Sequence, residues 1–274
     1  MPLVVCATPI GNLEDVTLRV IRELGEADVV LCEDTRRTRT LLERHGIQAR
    51  LVSYHQHNEA KRVQELLPRL EAREKVALAS DAGLPGVNDP GARLIAAAIE
   101  RGLEVTVLPG PSAVETALVA SGLVGDRYAF VGYLPRSREA LERLWAESAA
   151  WGSPVVAFES PKRLPGSLRS LAEADPERPV AVCRELTKRF EEIVRGPLSE
   201  VRRRFAEGEA ARGEVVVLVA GAAEEERPAA SLDDDIRQAL AAGQRVSELA
   251  TALAERTGRP RREIYRRALQ LSRG

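Results

Sequence analysis

Residues 76–91 read VALASDAGLPGVNDPG. Apolar residues run without polar alternation from Val76 towards Ser80, the pattern of a strand buried on both faces of a sheet. The stretch 79–91 then packs three Gly, two Pro and two Asp into thirteen residues. Such a density of turn formers predicts a long shaped loop with inward-pointing amides. Its carboxylates Asp81 and Asp89 offer acceptors to hydroxyl or ammonium groups. Open α/β sheets bind ligands where their strands end in this way.

Working outward, the same punctuation recurs. Strands are predicted at Leu3–Ala7, Val29–Cys32, Leu51–Tyr54, Val76–Ser80 and Val105–Leu108. Between them lie amphipathic helices at Leu18–Leu24, Thr38–His45, Glu59–Ala72 and Gly91–Arg101. This alternation predicts an α/β layer with a mostly parallel sheet. After a joint near Ser121–Asp126 the grammar repeats, with strands at Tyr128–Val131, Val155–Glu159, Val180–Arg184, Glu192–Val194 and Val215–Val219. Helices are expected at Ser137–Ala149, Leu164–Glu173 and Leu198–Glu207. From Ala222 the chain turns polar and breaker-rich and reads as a linker. Asp233–Ala241, Val246–Arg256 and Arg261–Leu271 then show helical spacing with tight turns, like a helix-turn-helix. The expected domains are residues 1–122, 123–222 and 231–274.

The chain of 274 residues is 44% hydrophobic and 30% charged, which excludes a disordered polyelectrolyte. Its formal net charge of -1 gives no global field for nucleic acid or membrane, so any basic footprint is local. Residues 231–274 hold nine Arg against six Asp and Glu, a local charge of +3. Three Cys, an odd number, sit in or at the end of apolar runs, which points to reduced thiols in a cytoplasmic compartment. The opening MPLVVCATPIG lacks a basic start and is too short to read as a signal peptide, and no run approaches the ~20 apolar residues of a membrane span.

The other strand ends carry polar motifs too. Thr8-Pro9-Ile10-Gly11-Asn12 closes a turn that lets backbone approach a ligand, without the glycine spacing of a dinucleotide or triphosphate loop. Glu33-Asp34-Thr35-Arg36-Arg37 pairs carboxylates with cations, and reads first as a capped helix start. Tyr54, His55 and His57 lack a third metal ligand nearby, and suit the stacking of bases better than a zinc site. Pro109-Gly110-Pro111-Ser112-Ala113 opens a helix with Ser112 as candidate N-cap. Phe158-Glu159-Ser160-Pro161-Lys162-Arg163 and Arg184-Glu185-Leu186-Thr187-Lys188 again set carboxylates beside cations, a pattern that favours a polyanion.

In this order and spacing, TPIGN, EDTRRT, SDAGLPGVNDPG, PGPSA, FESPKR and RELTK resemble one family. It is the bacterial small-subunit ribosomal RNA ribose methyltransferases, which 2′-O-methylate a decoding-centre cytidine, within the tetrapyrrole methylase superfamily. The resemblance spans Leu3 to Gly221, and the tail is similar to that family's helix-turn-helix. It implies a class III methyltransferase fold: two α/β/α domains with S-adenosylmethionine in the cleft between them, plus a small helical module. It also implies a homodimer acting on small-subunit rRNA or the small ribosomal subunit; from the residues themselves, no metal and no membrane are expected.

Carried over position by position, Ile10, Gly11 and Asn12 would approach the cofactor. Asp81, Ala82, Gly83 and Leu84 would face its sulfonium and amino-acid part, and Ser112 and Ala113 its carboxylate. Phe158, Arg184 and Gly213 would take the adenosine side. Methyl transfer needs alignment and a proton acceptor for the ribose hydroxyl. The candidates are Glu185 with Lys188, the lysine serving only if its pKa is depressed, then Asp81 and Glu159. Arg36, Arg163 and Lys188 are the expected phosphate contacts. Competing readings are a tetrapyrrole-precursor C-methyltransferase and a non-catalytic RNA-binding protein on a methylase scaffold.

Overall fold

A computed structural model of the chain describes residues 2–148, 151–206, 213–221 and 229–272. The stretch read as a linker, the final residues expected of two helices (Ala149 and Glu207) and the last two residues of the chain lie outside these. The chain divides into two compact units, Met1–Gly221 and Ala222–Gly274.

The first unit opens with β1 (Leu3–Cys6), α1 (Leu18–Glu26), β2 (Val29–Cys32), α2 (Thr35–Arg44), β3 (Leu51–Ser53), α3 (Glu59–Glu71), β4 (Val76–Ala79), α4 (Ala92–Glu100), β5 (Val105–Leu108) and α5 (Ala113–Ser121). It continues with β6 (Ala129–Tyr133), α6 (Arg138–Ser148), β7 (Val155–Glu159), α7 (Leu164–Ala174), β8 (Pro179–Arg184), β9 (Glu192–Pro197), α8 (Leu198–Ala206) and β10 (Val215–Val219).

The first sheet has the order β3-β2-β4-β1-β5, and every pairing in it is parallel. Alternation along each strand sorts side chains to its two faces. Leu3 and Val5 join Leu66, Leu70 and Leu94 of α3 and α4 on one face. Val4 and Cys6 join Val20, Leu24, Leu41 and Leu42 of α1 and α2 on the other. Each such side chain contributes about 1.5–3 kcal/mol by leaving water. All three Cys are free and buried. Burial pushes the Cys6 thiol up to about 12 and the Cys183 thiol up to about 11, so both are inert at neutral pH.

The second sheet, in the order β6-β7-β10-β8-β9, is mixed: β6 and β7 run parallel, and the other pairings are antiparallel. Val155, Ala157, Val180 and Val182 pack one face against α6, α7 and α8. The opposite face is covered by Val114, Ala117 and Leu118 of α5, joined by Ile10 from the turn after β1. Helix α5 thus leaves the first sheet and packs on the second, which fixes the two sheets around a shared gap. Left-handed Gly122 ends it (φ +76°), within the expected joint.

Two local readings are corrected. Helix α2 starts at Thr35 rather than Thr38, because the Asp34 carboxylate accepts from the Arg36 amide and caps it. Tyr54 is no stacking surface: it is 1% exposed in the core, and its hydroxyl donates to Glu59.

In the second unit, α9 (Ala229–Ala241), α10 (Val246–Thr257) and α11 (Arg261–Leu271) bury Leu232, Ile236, Leu249, Leu253 and Ile264 together. Arg267 of α11 pairs with Asp233 of α9. Among the described residues, no helix is long and apolar enough to cross a membrane.

Candidate functional site

The carboxyl ends of β1, β2, β4 and β5 meet the ends of β6 and β7 and the start of β10 around a cleft of about 1080 Å³. Its walls are tied before any ligand arrives. Thr8 and Gly83 exchange backbone hydrogen bonds of 2.8 and 3.0 Å, and the Thr8 and Ser80 hydroxyls donate to backbone carbonyls of the same loop. The Asp34 amide donates to Asp81 Oδ1 at 2.9 Å, joining the loops after β2 and β4. Gly110 is forced by close approach, since a Cβ there would lie 2.8 Å from that of Ala7. Such preformed walls cost little to organise on binding.

The RELTK turn lies behind the cleft lining, packed against Gly11 and the Gly213–Glu214 turn. Glu185 and Thr187 both have positive φ, +53° and +64°, a strained state for a β-branched residue. The strain is held by partners. The Asn12 amide donates to the Thr187 hydroxyl at 3.0 Å, and the Thr187 amide donates to Glu191 at 2.7 Å. Glu185 accepts from the Glu214 amide at 3.0 Å and from Lys188 Nζ at 2.8 Å.

The cleft is strongly acidic. Its lining carries seven carboxylates, among them Glu33, Asp81, Asp89 and Glu214, against one cation, Arg37. Burial, reinforced by the charges of Glu33, Asp81 and Glu214, raises Asp89 to about 6. Burial and Asp81 push Glu33 up as well. Asp34 goes the other way, down to about 2, because the Arg36 guanidinium hydrogen-bonds it.

Of the residues expected from the sequence, Ile10, Asp81, Ala82, Gly83, Leu84, Ser112, Ala113, Phe158, Glu159 and Gly213 line the cleft. Gly11, Asn12, Arg184, Glu185, Lys188, Arg36 and Arg163 do not. Gly11 allows the first turn to touch the RELTK turn, where a Cβ would meet Lys188 Cγ at 2.5 Å. Asn12 caps the short helical turn Leu13–Asp15 through the Glu14 amide. Arg184 pairs with Glu192 at 2.9 Å. Arg36 is held by Asp34 in a two-pronged bridge.

Three expectations about the chemistry change. Lys188 is not depressed: burial would lower it, but the hydrogen bond to Glu185 and the charge of Glu214 outweigh that and raise it. Burial would raise Glu185, yet the Lys188 and Glu214 hydrogen bonds prevail and lower it. The pair therefore stays charged and braces the Gly213–Glu214 turn. Ser112 makes no side-chain cap; its hydroxyl donates to Glu115. Glu159 has no exposed side-chain surface, and it accepts from Arg163, Ser167 and its neighbour's amide. Its lone pairs serve the wall.

The sequence reading passed over Tyr133. A register shift in β6 and left-handed Gly132 (φ +69°) turn its ring to the cleft rim, 60% exposed. It lies edge-on to Phe158 at 5.6 Å, and Phe158 lies edge-on to Phe130 at 5.0 Å. The one signal was an aromatic one residue past a glycine at a strand end.

A family model for tetrapyrrole (corrin/porphyrin) methylases matches residues 2–202. The chain belongs to the tetrapyrrole methylase family. It is 44% identical to a ribosomal RNA small subunit methyltransferase I from Mesorhizobium japonicum, over 98% of this chain and 92% of the relative. It is 42% identical to the protein of that name from Thermotoga maritima, over 80% of this chain and 98% of the relative. That relative leaves about a fifth of this chain unmatched, a length like that of the helical unit. Among solved structures, uroporphyrin-III-C-methyltransferase from Thermus thermophilus shares the fold, with a TM-score of 0.55 at 21% identity over 80% of this chain and 93% of that one. The chain is thus a methyltransferase of this family, and its methyl donor is S-adenosylmethionine.

The cleft suits that donor. Ile10, Val114 and Val216 give it an apolar floor, and Gly110, packed on Ala7, holds the loop after β5 in its wall. The surplus of carboxylates fits a ligand that carries a sulfonium and an ammonium.

Proposed function

We propose that the chain transfers a methyl group from S-adenosylmethionine to the ribose 2′ hydroxyl of a cytidine in the decoding region of small-subunit rRNA. The observation that carries this reading is the match over nearly the whole chain to the Mesorhizobium rRNA methyltransferase, which extends beyond the catalytic-family model.

When bound, S-adenosylmethionine supplies a methyl group activated by its sulfonium. Asp81 would face its positive end, the Pro109–Ala113 loop would receive its carboxylate, and Ile10, Phe158 and Val216 would pack its adenosine, since all of these line the cleft. Tyr133 offers a face on which the target base stacks. The displacement needs its partners in line and an acceptor for the hydroxyl proton. Asp89 fills that role: it lines the cleft, and its proton affinity, near pH 6, lies closer to neutrality than that of an ordinary aspartate. Asp81, the second aspartate of the same loop, also lines the cleft. In the same reading the protein is a cytoplasmic homodimer, with Val107 of β5, Val119 of α5 and Val124 as exposed apolar residues for the contact. The helical unit adds phosphate contacts.

Cofactor-dependent labelling separates the possibilities. Tritium passing from S-adenosylmethionine into small-subunit rRNA upholds the reading. Label accepted only by a porphyrinogen overturns it.

A further inference from the structure

An enzyme that methylates RNA through a cleft lined with carboxylates faces an electrostatic conflict, because every nucleotide it admits brings phosphates with it. The backbone of the substrate has to be held elsewhere. Beside the cleft is a second depression of about 390 Å³ with the opposite charge, lined by Arg136, Arg138, Lys162, Arg163 and Arg169 against the single carboxylate of Glu173.

Not all of these cations are available. Arg163 is tied to Glu159 at 2.7 Å and to the Leu134 carbonyl at 2.6 Å. Arg138 reaches Glu142 at 2.6 Å and Glu173 at 3.0 Å. Arg136, Lys162 and Arg169 are exposed, and no carboxylate among the described residues pairs with them. Ser170 also lines the depression, and its hydroxyl is buried with no hydrogen-bond partner among the described residues. Three unneutralised cations and an unused hydroxyl around a hollow are a complement to phosphate oxygens.

The place matters as much as the charge. The two hollows are lined by adjoining stretches of chain: Tyr133, Ser160 and Pro161 line the cleft, and Pro135, Arg136 and Lys162 line the basic depression. Three residues of chain span at most about 11 Å, so Arg136 lies within that reach of Tyr133.

We propose that the depression bounded by Arg136, Lys162, Arg169 and Ser170 is a phosphate subsite that grips the rRNA backbone next to the nucleotide entering the cleft. It rests on the rRNA reading above and assigns the grip on substrate to a surface outside the cofactor cleft. The Glu159–Arg163 pair is its frame, standing between the two hollows.

The test compares the wild-type chain with a combined Arg136→Gln, Lys162→Gln, Arg169→Gln variant, and with a control in which Arg19, Lys61 and Arg101, exposed cations on or just past the first sheet's helices, are changed to Gln. Binding to small-subunit rRNA is measured across a salt series, and S-adenosylmethionine affinity by calorimetry. The subsite variant is expected to bind rRNA at least tenfold more weakly, and its log–log salt slope to fall by about 0.7–0.9 for each phosphate it no longer neutralises. Its cofactor affinity stays within twofold of wild type, which shows the fold intact, and the control changes rRNA binding less than threefold. Equal weakening in both variants, or an unchanged slope in the subsite variant, overturns the proposal. If the slope changes as expected but the wild-type protein transfers no methyl group, the subsite stands and the catalytic reading falls. If the wild type methylates rRNA and both variants match it in affinity and slope, the subsite falls and the catalytic reading stands.

Discussion

The main-chain amide of Asp34 donates to Oδ1 of Asp81 at 2.9 Å, while Arg37 approaches the other oxygen at 3.6 Å. One carboxylate therefore joins two strand-end loops and still faces the cleft. Asp81→Ala is expected to weaken S-adenosylmethionine binding at least tenfold by calorimetry, in line with about 1.5–3 kcal/mol for a hydrogen bond to a charged group. Asp81→Asn keeps an oxygen for the Asp34 amide, and is expected to restore thermal stability without restoring affinity. Wild-type affinity in both variants would remove Asp81 from the cofactor's surroundings.

Gly213 holds φ +90° with the Glu185 carboxylate packed where its side chain would be. Gly213→Ala is expected to destabilise the chain by at least about 2 kcal/mol, from backbone strain together with displacement of Glu185. Denaturant melts give the value. A change below about 0.5 kcal/mol would mean that the Glu185–Lys188 brace is not rigid.

Glu159 is buried and holds Arg163 with two-pronged geometry. Removing one partner of such a pair strands the other, so Glu159→Ala is expected to cost about 3 kcal/mol, with Glu159→Gln costing less. Were Glu159 instead the proton acceptor, the Gln variant would retain stability and lose turnover completely. Equal small losses in stability and rate are expected for it.

How far the sequence shows this arrangement depends on what each residue touches. The unbroken apolar runs of β1, β2, β4 and β10 announce their strands, because burial on both faces leaves no room for a polar position. Ile10, Asp81 and Phe158 are legible as cleft residues since they lie at or just past strand ends. Asn12 and Arg184 are not, because their partners, the Glu14 amide and Glu192, become neighbours only through the turn and hairpin they build. The environment of Asp89 is equally hidden: Glu33 and Glu214 are far apart in the chain, and only the assembled cleft sets their charges beside it.

That environment gives Asp89 a pH signature. Its folded-state pKa, about 6, lies above the ordinary aspartate value, so the native state binds the proton more tightly than the unfolded chain does. The stability this provides is complete below about pH 4 and lost as pH rises through 6. Asp89→Asn is expected to be more stable than wild type at about pH 8 by about 1 kcal/mol, a figure discounted for the solvent that reaches the carboxyl. The difference closes as pH falls towards about 4. In kinetics, the wild-type rate is expected to rise with pH through about 6, and Asp89→Asn to lose both that limb and about 10²-fold in rate. A limb unchanged in the variant would assign proton removal to another group.

The central claim, transfer to a ribose hydroxyl of small-subunit rRNA, is tested most directly by nucleoside analysis. Purified protein is incubated with tritiated S-adenosylmethionine and small ribosomal subunits lacking methylation, and the RNA is then digested to nucleosides. The expected product is radioactive 2′-O-methylcytidine from the decoding region, absent without protein. Label confined to a base-methylated nucleoside, or absent from subunits and free rRNA while the cofactor binds, would contradict it.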